Sequence, residues 1–361
     1  MIDHRLTSHH LLIHPADLKE LRSDIWCEEP VPAILKKNKK NVHVDFVYRG
    51  SHIRELEKKS YNLQYRRPKI VQGTRELHLN AEFKDPSMMR NKLSLDFFEK
   101  LGILSPATRF ITLYINTKYE GVYLELESVD EQFLNKRGLD EGAIYYAVDD
   151  DANFSLMSEI DGDVKKNLLL GYEQKIGTKE DAVALEDFIY KINSTKPAEF
   201  EQMISQSLHV QDYLTWLAGI VCLQNFDGFV HNYALYYNRK TRLFHIIPWD
   251  YDATWGRDVN GKIMHHEYVR IEGFNTLTGR LLAVPTYRKM YREIMSSILN
   301  NIFTTDYMEP IIQDTHAQIR PYLEKDPYVK SSLELLDKEP TYISKFIQKR
   351  RAYLLEQMQR L

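Results

Sequence analysis

The chain has 361 residues, and its 48 Lys and Arg residues nearly balance its 51 Asp and Glu residues, which gives a formal net charge of −3. This near balance argues against a dedicated nucleic-acid binder, which needs a basic surface. With 43% hydrophobic and 27% charged residues, the composition is that of a globular protein and excludes disorder over most of the chain.

Cysteine content and apolar runs indicate the cellular compartment. Cys27 and Cys222 are the two cysteines, too few for a disulfide framework or a cysteine-based zinc cluster. The first residues contain no apolar stretch of a secretory signal, and no run of the sequence approaches a membrane span. These features predict a protein of the reducing cytoplasm, with neither a membrane nor a nucleic acid as its partner.

Residues 1–148 are predicted to be mostly β-structure with one inserted helix. Apolar residues at helical spacing indicate a short helix over 16–26, before the strands begin. Alternating apolar and polar residues indicate strands over 42–48, 59–65, 110–115 and 121–126. The inserted helix is predicted to start at Asp85-Pro86-Ser87 and to run to Leu101, where Gly102 ends it.

Residues 149–361 are predicted to be mainly helical. Apolar faces at helical spacing indicate helices over 179–192, over 210–221 and through most of 287–361. Two short strands are predicted over 232–237 and 243–247. The change in character near Asp149-Asp150-Asp151 predicts a boundary between a first domain, 1–148, and a second, 149–361. The predicted fold class is therefore α+β.

The clearest chemical signal follows the apolar helix of 210–221. Asp227 and Asn232 are separated by four residues. In protein kinases an Asp of the catalytic loop accepts the proton of the substrate hydroxyl, and an Asn five positions later holds a metal ion. Asp and Asn are also common in solvated turns, so the spacing alone leaves both interpretations open.

A second acidic motif follows the two short strands. Asp250 and Asp252 come directly after the apolar strand that ends in Pro248-Trp249. Kinases place a metal-binding Asp at such a point, followed by an aromatic residue, which here is Tyr251. Asp250 is therefore a predicted ligand of Mg²⁺, which prefers hard oxygen donors. Asp252 is either a second ligand or a helix cap.

The N-terminal half offers candidates for nucleotide phosphates. Arg49 and Ser51 lie between two predicted strands, where kinases carry a loop that covers the phosphates. Lys59, with Lys58 as the alternate, is predicted to pair with the α- and β-phosphates. An ordinary surface lysine is the competing interpretation for both.

Several segments resemble the CotH kinase family, over essentially the whole chain. They are residues 48–54, 58–61, 79–82, 85–87, 89–93 and 121–125 and, most specific of all, 227–232 and 248–256. The sequence departs from ordinary kinases in lacking a complete Gly-rich loop. It also has Asn225-Phe226 where they have His-Arg, and Tyr251-Asp252 where they have Phe-Gly.

The resemblance implies an atypical protein kinase fold, with a β-rich nucleotide-binding lobe, a mainly helical lobe and an active site in the cleft. It implies ATP-dependent phosphorylation of Ser-rich spore coat proteins and a role in outer coat assembly. It makes Asp227 the catalytic residue and Asn232 and Asp250 metal ligands, with Mg²⁺ as the ion and Mn²⁺ as the alternative. Aromatic placement suggests Tyr146 and Trp249 for the adenine. The implied location is the mother-cell cytoplasm and then the spore coat.

Two other functions fit the same motifs. Small-molecule phosphotransferases share the spacing of Asp227 and Asn232, so the motif does not separate them from protein kinases. A non-catalytic scaffold, or pseudokinase, is the third hypothesis. The intact set of Asp227, Asn232 and Asp250 argues against it, because a site without catalysis has no physical need for all three.

Overall fold

A computed structural model describes residues 5–37, 40–66, 70–71, 73–329 and 332–361. The chain forms two compact units that are interleaved along the sequence. Unit 1 comprises Met1–Lys92, Ala107–Ser128 and Pro310–Thr341, and unit 2 comprises Leu93–Pro106, Val129–Glu309 and Tyr342–Leu361. The predicted boundary at residue 148 stays a prediction.

Unit 1 is built on a closed seven-stranded barrel. Its strands are β1 (Thr7–Ile13), β2 (Val31–Lys37), β3 (Lys40–Tyr48), β4 (Tyr61–Tyr65), β5 (Glu76–Asn80), β6 (Thr108–Ile115) and β7 (Lys118–Glu127). Their order around the barrel is β1-β2-β3-β4-β5-β7-β6. β1 and β6 close the barrel in parallel, whereas the other neighbours pair antiparallel.

The barrel forms because alternate residues of these strands are apolar and point inward. Phe46 of β3 pairs with Leu63 of β4, and both are fully buried. Leu21 of α1 (Pro15–Ser23) packs into the same core. The predicted helix over 16–26 and the predicted strands over 42–48 and 59–65 are confirmed, although α1 ends at Ser23 and β4 begins at Tyr61.

The helix α2 (Arg90–Lys100) begins later than the sequence predicts. The Asp85 carboxylate accepts the backbone N–H of Arg90 at 2.8 Å and thereby caps the helix. Met88, in the left-handed region at φ 55°, forms a turn ahead of the first helical residue. Pro86 therefore lies in this turn and not in the first turn of the helix.

Unit 2 holds a four-stranded antiparallel sheet and most of the helices. The sheet has the order β11-β10-β8-β9, with β8 (Gly142–Ala147), β9 (Tyr172–Ile176), β10 (Tyr233–Asn238) and β11 (Leu243–Pro248). Its helices include α3 (Glu131–Lys136), α4 (Lys179–Ser194), α5 (Pro197–Ser205), α6 (Val210–Leu223), α7 (Thr276–Leu282) and α8 (Pro285–Asn301). The predicted helices over 179–192 and 210–221 are confirmed.

The last two helices contribute to both units. Unit 1 contains most of α9 (Thr305–Leu323) and the start of α10 (Leu333–Gln357), and the rest of α10 belongs to unit 2. Across the described residues, no helix combines the length and the apolar character that crossing a bilayer requires.

Candidate active site

The buried helix α6 fixes the loop that carries Asp227. This helix is apolar on nearly every side and ends at Gln224, which adopts the left-handed conformation at φ 60°. The Asn225 side chain then accepts the backbone N–H of Gly228 at 3.0 Å, and the Asp227 carbonyl accepts that of His231 at 3.0 Å. Asp227 therefore opens a short 3₁₀ turn whose backbone is held on both sides, with its side chain partly accessible.

Backbone pairing brings Asn232 next to Asp250. The backbone N–H of Trp249 donates to the Asn232 carbonyl at 3.2 Å. Asn232 and Asp250 both have left-handed backbones, at φ 56° and φ 59°, so each marks a sharp bend where the chain enters or leaves the sheet. After Asp250, the buried Tyr251 accepts a hydrogen bond from the indole N–H of Trp216 at 3.0 Å. This anchor on α6 holds the bend that carries Asp250.

The charges around Asp227 act on its carboxyl from several sides. Burial raises the pKa of Asp227, the imidazole of His231 lowers it, and the carboxylates of Asp150, Asp250 and Asp258 raise it further. The loop therefore concentrates negative charge, which a cation placed there would offset.

His231 lies inside the motif, although the sequence alone predicts no role for it. Its Nδ1 atom lies 2.7 Å from the Asp150 carboxylate, which comes from the acidic run at 149–151. The other two acids of that run also have local partners, since Asp149 accepts the backbone N–H of Asp151 at 2.9 Å and Asp151 accepts that of Glu159 at 2.8 Å. A pairing across 81 residues leaves no signal in a single sequence.

The structure brings Tyr146 and Trp249 together. Their rings meet edge to face, with centroids 4.8 Å apart. Tyr146 lies on β8, and its hydroxyl accepts the backbone N–H of Val129 at 2.8 Å. Both side chains are more than nine-tenths buried. Their predicted contact with adenine stays a prediction.

Asp252 follows the Asp250 bend and is partly buried. Among the described residues, the carboxylates of Asp227, Asp250 and Asp252 do not form a group whose oxygens all lie within 4.8 Å of one another. The backbone hydrogen bond of the site joins Asn232 to Trp249, the residue before Asp250, and the role of Asp252 as a second ligand stays a prediction.

The predicted phosphate contacts lie in unit 1 and share one loop. Arg49 bonds to the side chain of Asn80, and the Lys59 ammonium bonds to the carbonyl of Arg54. Arg54 in turn donates to the carbonyl of Gly50 at 2.6 Å, beside Ser51, which is exposed. Arg49, Ser51 and Lys59 therefore lie in the segment that links β3 to β4, and their contact with phosphates stays a prediction.

Lys58, the alternate lysine, has entirely different surroundings. Its ammonium lies 2.8 Å from the Asp326 carboxylate and 2.6 Å from the carbonyl of Val122, and the side chains of the ion pair are 0% exposed. Burial lowers the pKa of Lys58, and Asp326 opposes that shift. Asp326 lies 268 residues away along the chain, so the sequence gives no sign that it pairs with Lys58.

Residues 46–354 match the family model described as CotH kinase protein. The chain is 54% identical to inner spore coat protein H of Bacillus subtilis, over 98% of each chain. It is 28% identical to the inner spore coat protein H-like protein of the same organism, over 84% of this chain and 87% of that one.

A solved complex of Shewanella oneidensis HipA, HipB and operator DNA is 12% identical, covers 98% of this chain and 75% of that chain, and superposes with a TM-score of 0.44. That score is too low for the superposition to support an argument about function.

The fold and the site define a protein of mixed α and β structure. Its candidate site places Asp227 after one buried helix, and Asn232 and Asp250 at the ends of strands of one sheet. The chain belongs to the CotH kinase family, because the family model covers most of its length. The resemblance found in the sequence is thereby confirmed.

Proposed function

We propose that this protein is an ATP-dependent serine kinase that phosphorylates Ser-rich spore coat proteins. The observation that carries the proposal is the backbone pairing of Asn232 with the residue before Asp250, beside a rigid turn that presents Asp227. Membership of the CotH kinase family and the spore coat names of the two Bacillus subtilis relatives support it.

The side chains of this site suit a hard divalent cation. The Asn232 amide and the Asp250 carboxylate offer oxygen donors, which Mg²⁺ prefers and Mn²⁺ accepts. Asp250 also raises the pKa of Asp227, so a cation at Asp250 would relieve the repulsion between these two carboxylates. When bound, the metal neutralises charge on the phosphates of ATP. Asn232 and Asp250 are the residues that would hold it.

Asp227 is the residue placed to handle the proton. The serine oxygen forms a bond to the γ-phosphorus while the bond from that phosphorus to the bridging oxygen of ADP breaks. The hydroxyl proton passes to the Asp227 carboxylate. Partial burial and neighbouring carboxylates raise the pKa of Asp227, which makes it a better proton acceptor than a solvated aspartate.

The spore coat names of the two relatives support a proposed cellular setting. We place the protein in the mother-cell cytoplasm and then in the spore coat, where phosphorylation of coat proteins supports assembly of the outer coat. Its substrates would be the Ser-rich coat proteins themselves.

A transfer assay with γ-labelled ATP and Mg²⁺ tests this function. The wild-type protein, Asp227→Ala and the control Asp161→Asn, which alters an exposed carboxylate, are each mixed with a Ser-rich coat protein. We expect label on serine with wild type and control, and a loss of about 100-fold or more with Asp227→Ala. Label on a small-molecule acceptor alone would point to a small-molecule phosphotransferase. Normal coat assembly with Asp227→Ala would point to a scaffold.

Metal binding at Asp250 has its own experiment. Calorimetry of ATP binding in Mg²⁺ should show that Asp250→Asn binds the nucleotide much more weakly than wild type, because a charged oxygen donor is lost. The same titration with Asp161→Asn should match wild type. Equal Mg²⁺-dependent affinity in Asp250→Asn and wild type would remove Asp250 from the metal site.

A further inference from the structure

Three metal-ligating side chains converge where α6 begins beside β11. His209 precedes the first residue of α6, Asp212 lies in the first turn, and His245 lies in β11. The Nδ1 atoms of His209 and His245 lie 2.9 Å and 3.0 Å from the two carboxylate oxygens of Asp212. Within the part of the chain that the structure describes, this is the one group of three His, Cys or acidic side chains whose ligand atoms all lie within 4.8 Å of one another.

The backbone holds these side chains in place. The segment just before α6 runs parallel to β11. Leu208 forms a bridge with Phe244, and the backbone N–H of His209 donates to the Phe244 carbonyl at 2.9 Å. The two imidazoles stack, with centroids 4.9 Å apart, and the ring of His245 also stacks on Tyr236. A binding site built on two rigid elements needs little rearrangement when its ion arrives.

We propose that His209, Asp212 and His245 form a binding site for a divalent transition metal of the Zn²⁺ type. Imidazole nitrogen and carboxylate oxygen are established zinc ligands, with bonds of about 2.0–2.2 Å, so neighbouring ligands of a tetrahedral ion lie about 3.3 Å apart. The observed separations of 2.9 Å and 3.0 Å need an expansion of only a few tenths of an ångström. The His209 side chain is 41% exposed, which leaves a side from which water can complete the coordination.

Hydrogen bonding from two neutral imidazoles to one carboxylate is the competing explanation of these distances. That arrangement requires no ion, but it requires the proton of each histidine on Nδ1, whereas the Nδ1 atom of His209 already accepts the backbone N–H of Asp212 at 3.4 Å. The two arrangements differ in a measurable way, because only the metal site binds Zn²⁺ with defined stoichiometry and loses that binding when either histidine is replaced.

This metal site is separate from the loop that carries Asp227. The 14 residues of α6 span about 21 Å, with Asp212 in the first turn and the Asp227 loop beyond the other end. His245 likewise lies in β11, and Asp250 follows the end of that strand. A metal at His209, Asp212 and His245 would therefore brace together the two elements whose far ends carry Asp227 and Asp250. The inference does not depend on the kinase proposal.

The test uses the full chain, freed of any histidine tag, stripped with a chelator and titrated with Zn²⁺ alone in the absence of nucleotide. We expect one Zn²⁺ per chain that survives desalting, together with a higher unfolding temperature. His245→Asn and His209→Asn should each weaken this binding about 100-fold. The control His265→Asn alters an exposed histidine elsewhere and should bind like wild type.

His209→Asn keeps the test decisive if His245→Asn fails to fold, because Asn is itself a favoured residue at a helix N-terminus. Co²⁺ gives a second readout, since a tetrahedral site with nitrogen and oxygen ligands produces visible absorption that His209→Asn should abolish. Absence of stoichiometric Zn²⁺ binding in the wild type would overturn the proposal. So would Zn²⁺ binding that folded His209→Asn and His245→Asn retain undiminished.

Discussion

Two adjacent lysines, Lys58 and Lys59, show how far one position changes the surroundings of the same residue type. Lys58 is completely buried against Asp326, whereas Lys59 is half-buried and bonds to a backbone carbonyl. Replacing Lys58 by Met would leave the Asp326 carboxylate buried without its counter-ion. We expect Lys58→Met to lower the free energy of unfolding by about 3–5 kcal/mol, measured by urea denaturation.

Lys59→Met is the matched control for that measurement. It removes the same charge one residue further along, where solvent screens it, and should change the free energy of unfolding by at most about 1 kcal/mol. Equal losses in the two variants would show that the Lys58–Asp326 pair contributes no particular stability.

The sequence reveals residues that lie in one motif better than residues that meet across the chain. Asp227, Asn232 and Asp250 could be predicted as one group because a fixed local spacing and a hairpin join them, and their catalytic and metal-binding roles stay predictions. Lys58 was ranked below Lys59, because its buried partner Asp326 lies in a segment that no sequence pattern connects to it.

Among single elements, α4 depends on a charged cap that is sensitive to pH. The Asp181 carboxylate accepts hydrogen bonds from Arg239, at 2.7 Å, and from the backbone N–H of Thr178, at 2.7 Å. The hydrogen bond from Arg239 is the main reason why the pKa of Asp181 lies below its usual value, and burial acts in the opposite direction. An acid whose pKa is lowered in the folded state stabilises it above the unfolded pKa and loses that contribution as the pH falls.

We therefore expect Asp181→Asn to lower the free energy of unfolding by about 1–3 kcal/mol at pH 7. The difference from wild type should shrink below about pH 4, where the aspartate of the unfolded chain is protonated. Asp187→Asn, on an exposed face of the same helix, should change stability by less than about 1 kcal/mol at either pH. Denaturation curves at several pH values make the comparison, and a difference for Asp181→Asn that persists at low pH would contradict the mechanism.

The strand β7 tolerates no side chain at Gly121. Its φ of 105° disfavours other residues, and an added Cβ would lie 2.2 Å from the Asp326 carboxylate. We expect Gly121→Ala to destabilise the protein by about 2 kcal/mol or more. Gly279→Ala, in helix α7 with open space around it, should be stabilising by up to about 1 kcal/mol. Thermal unfolding of the two variants gives the comparison, and shifts of the same sign would contradict it.

Elements were predictable where one face is apolar and the other polar. The strands β3, β4, β6 and β7 and the helices α4 and α6 show such patterns or continuous apolar runs. The strand β5 was missed although its sequence, Glu-Leu-His-Leu-Asn, alternates, because it has only five residues and contains just two apolar side chains; the structure buries all five positions, including Glu76 and His78. β8 was missed as well, and its pairing with β10 and β9 identifies it as part of the sheet.

At the scale of the whole molecule, the order of the chain differs from the order of packing. Residues Pro310–Thr341 belong to unit 1 with the barrel, although more than 180 residues separate them from β7. Asp326 of this segment pairs with Lys58, and Glu339 pairs with Arg90. The guanidinium of Arg90 also pairs with Asp85. Burial opposes the charge on Arg90, and these two carboxylates outweigh it and raise its pKa. The sequence cannot show this return, because charge partners of buried cations carry no local signal.

Because residues Pro310–Thr341 belong to unit 1, removing them should destabilise the barrel. A chain that ends at residue 309 keeps all seven barrel strands but leaves Lys58 without Asp326 and Arg90 without Glu339. Each missing partner lowers the free energy of unfolding by several kcal/mol. The two losses together are comparable to the whole stability of a typical domain. We expect residues 1–309 to show no cooperative thermal transition by circular dichroism, whereas residues 1–357, which lack only the segment after α10, should unfold cooperatively like the full chain. A cooperative transition in residues 1–309 at the temperature of the full chain would mean that the barrel holds its buried cations by other contacts.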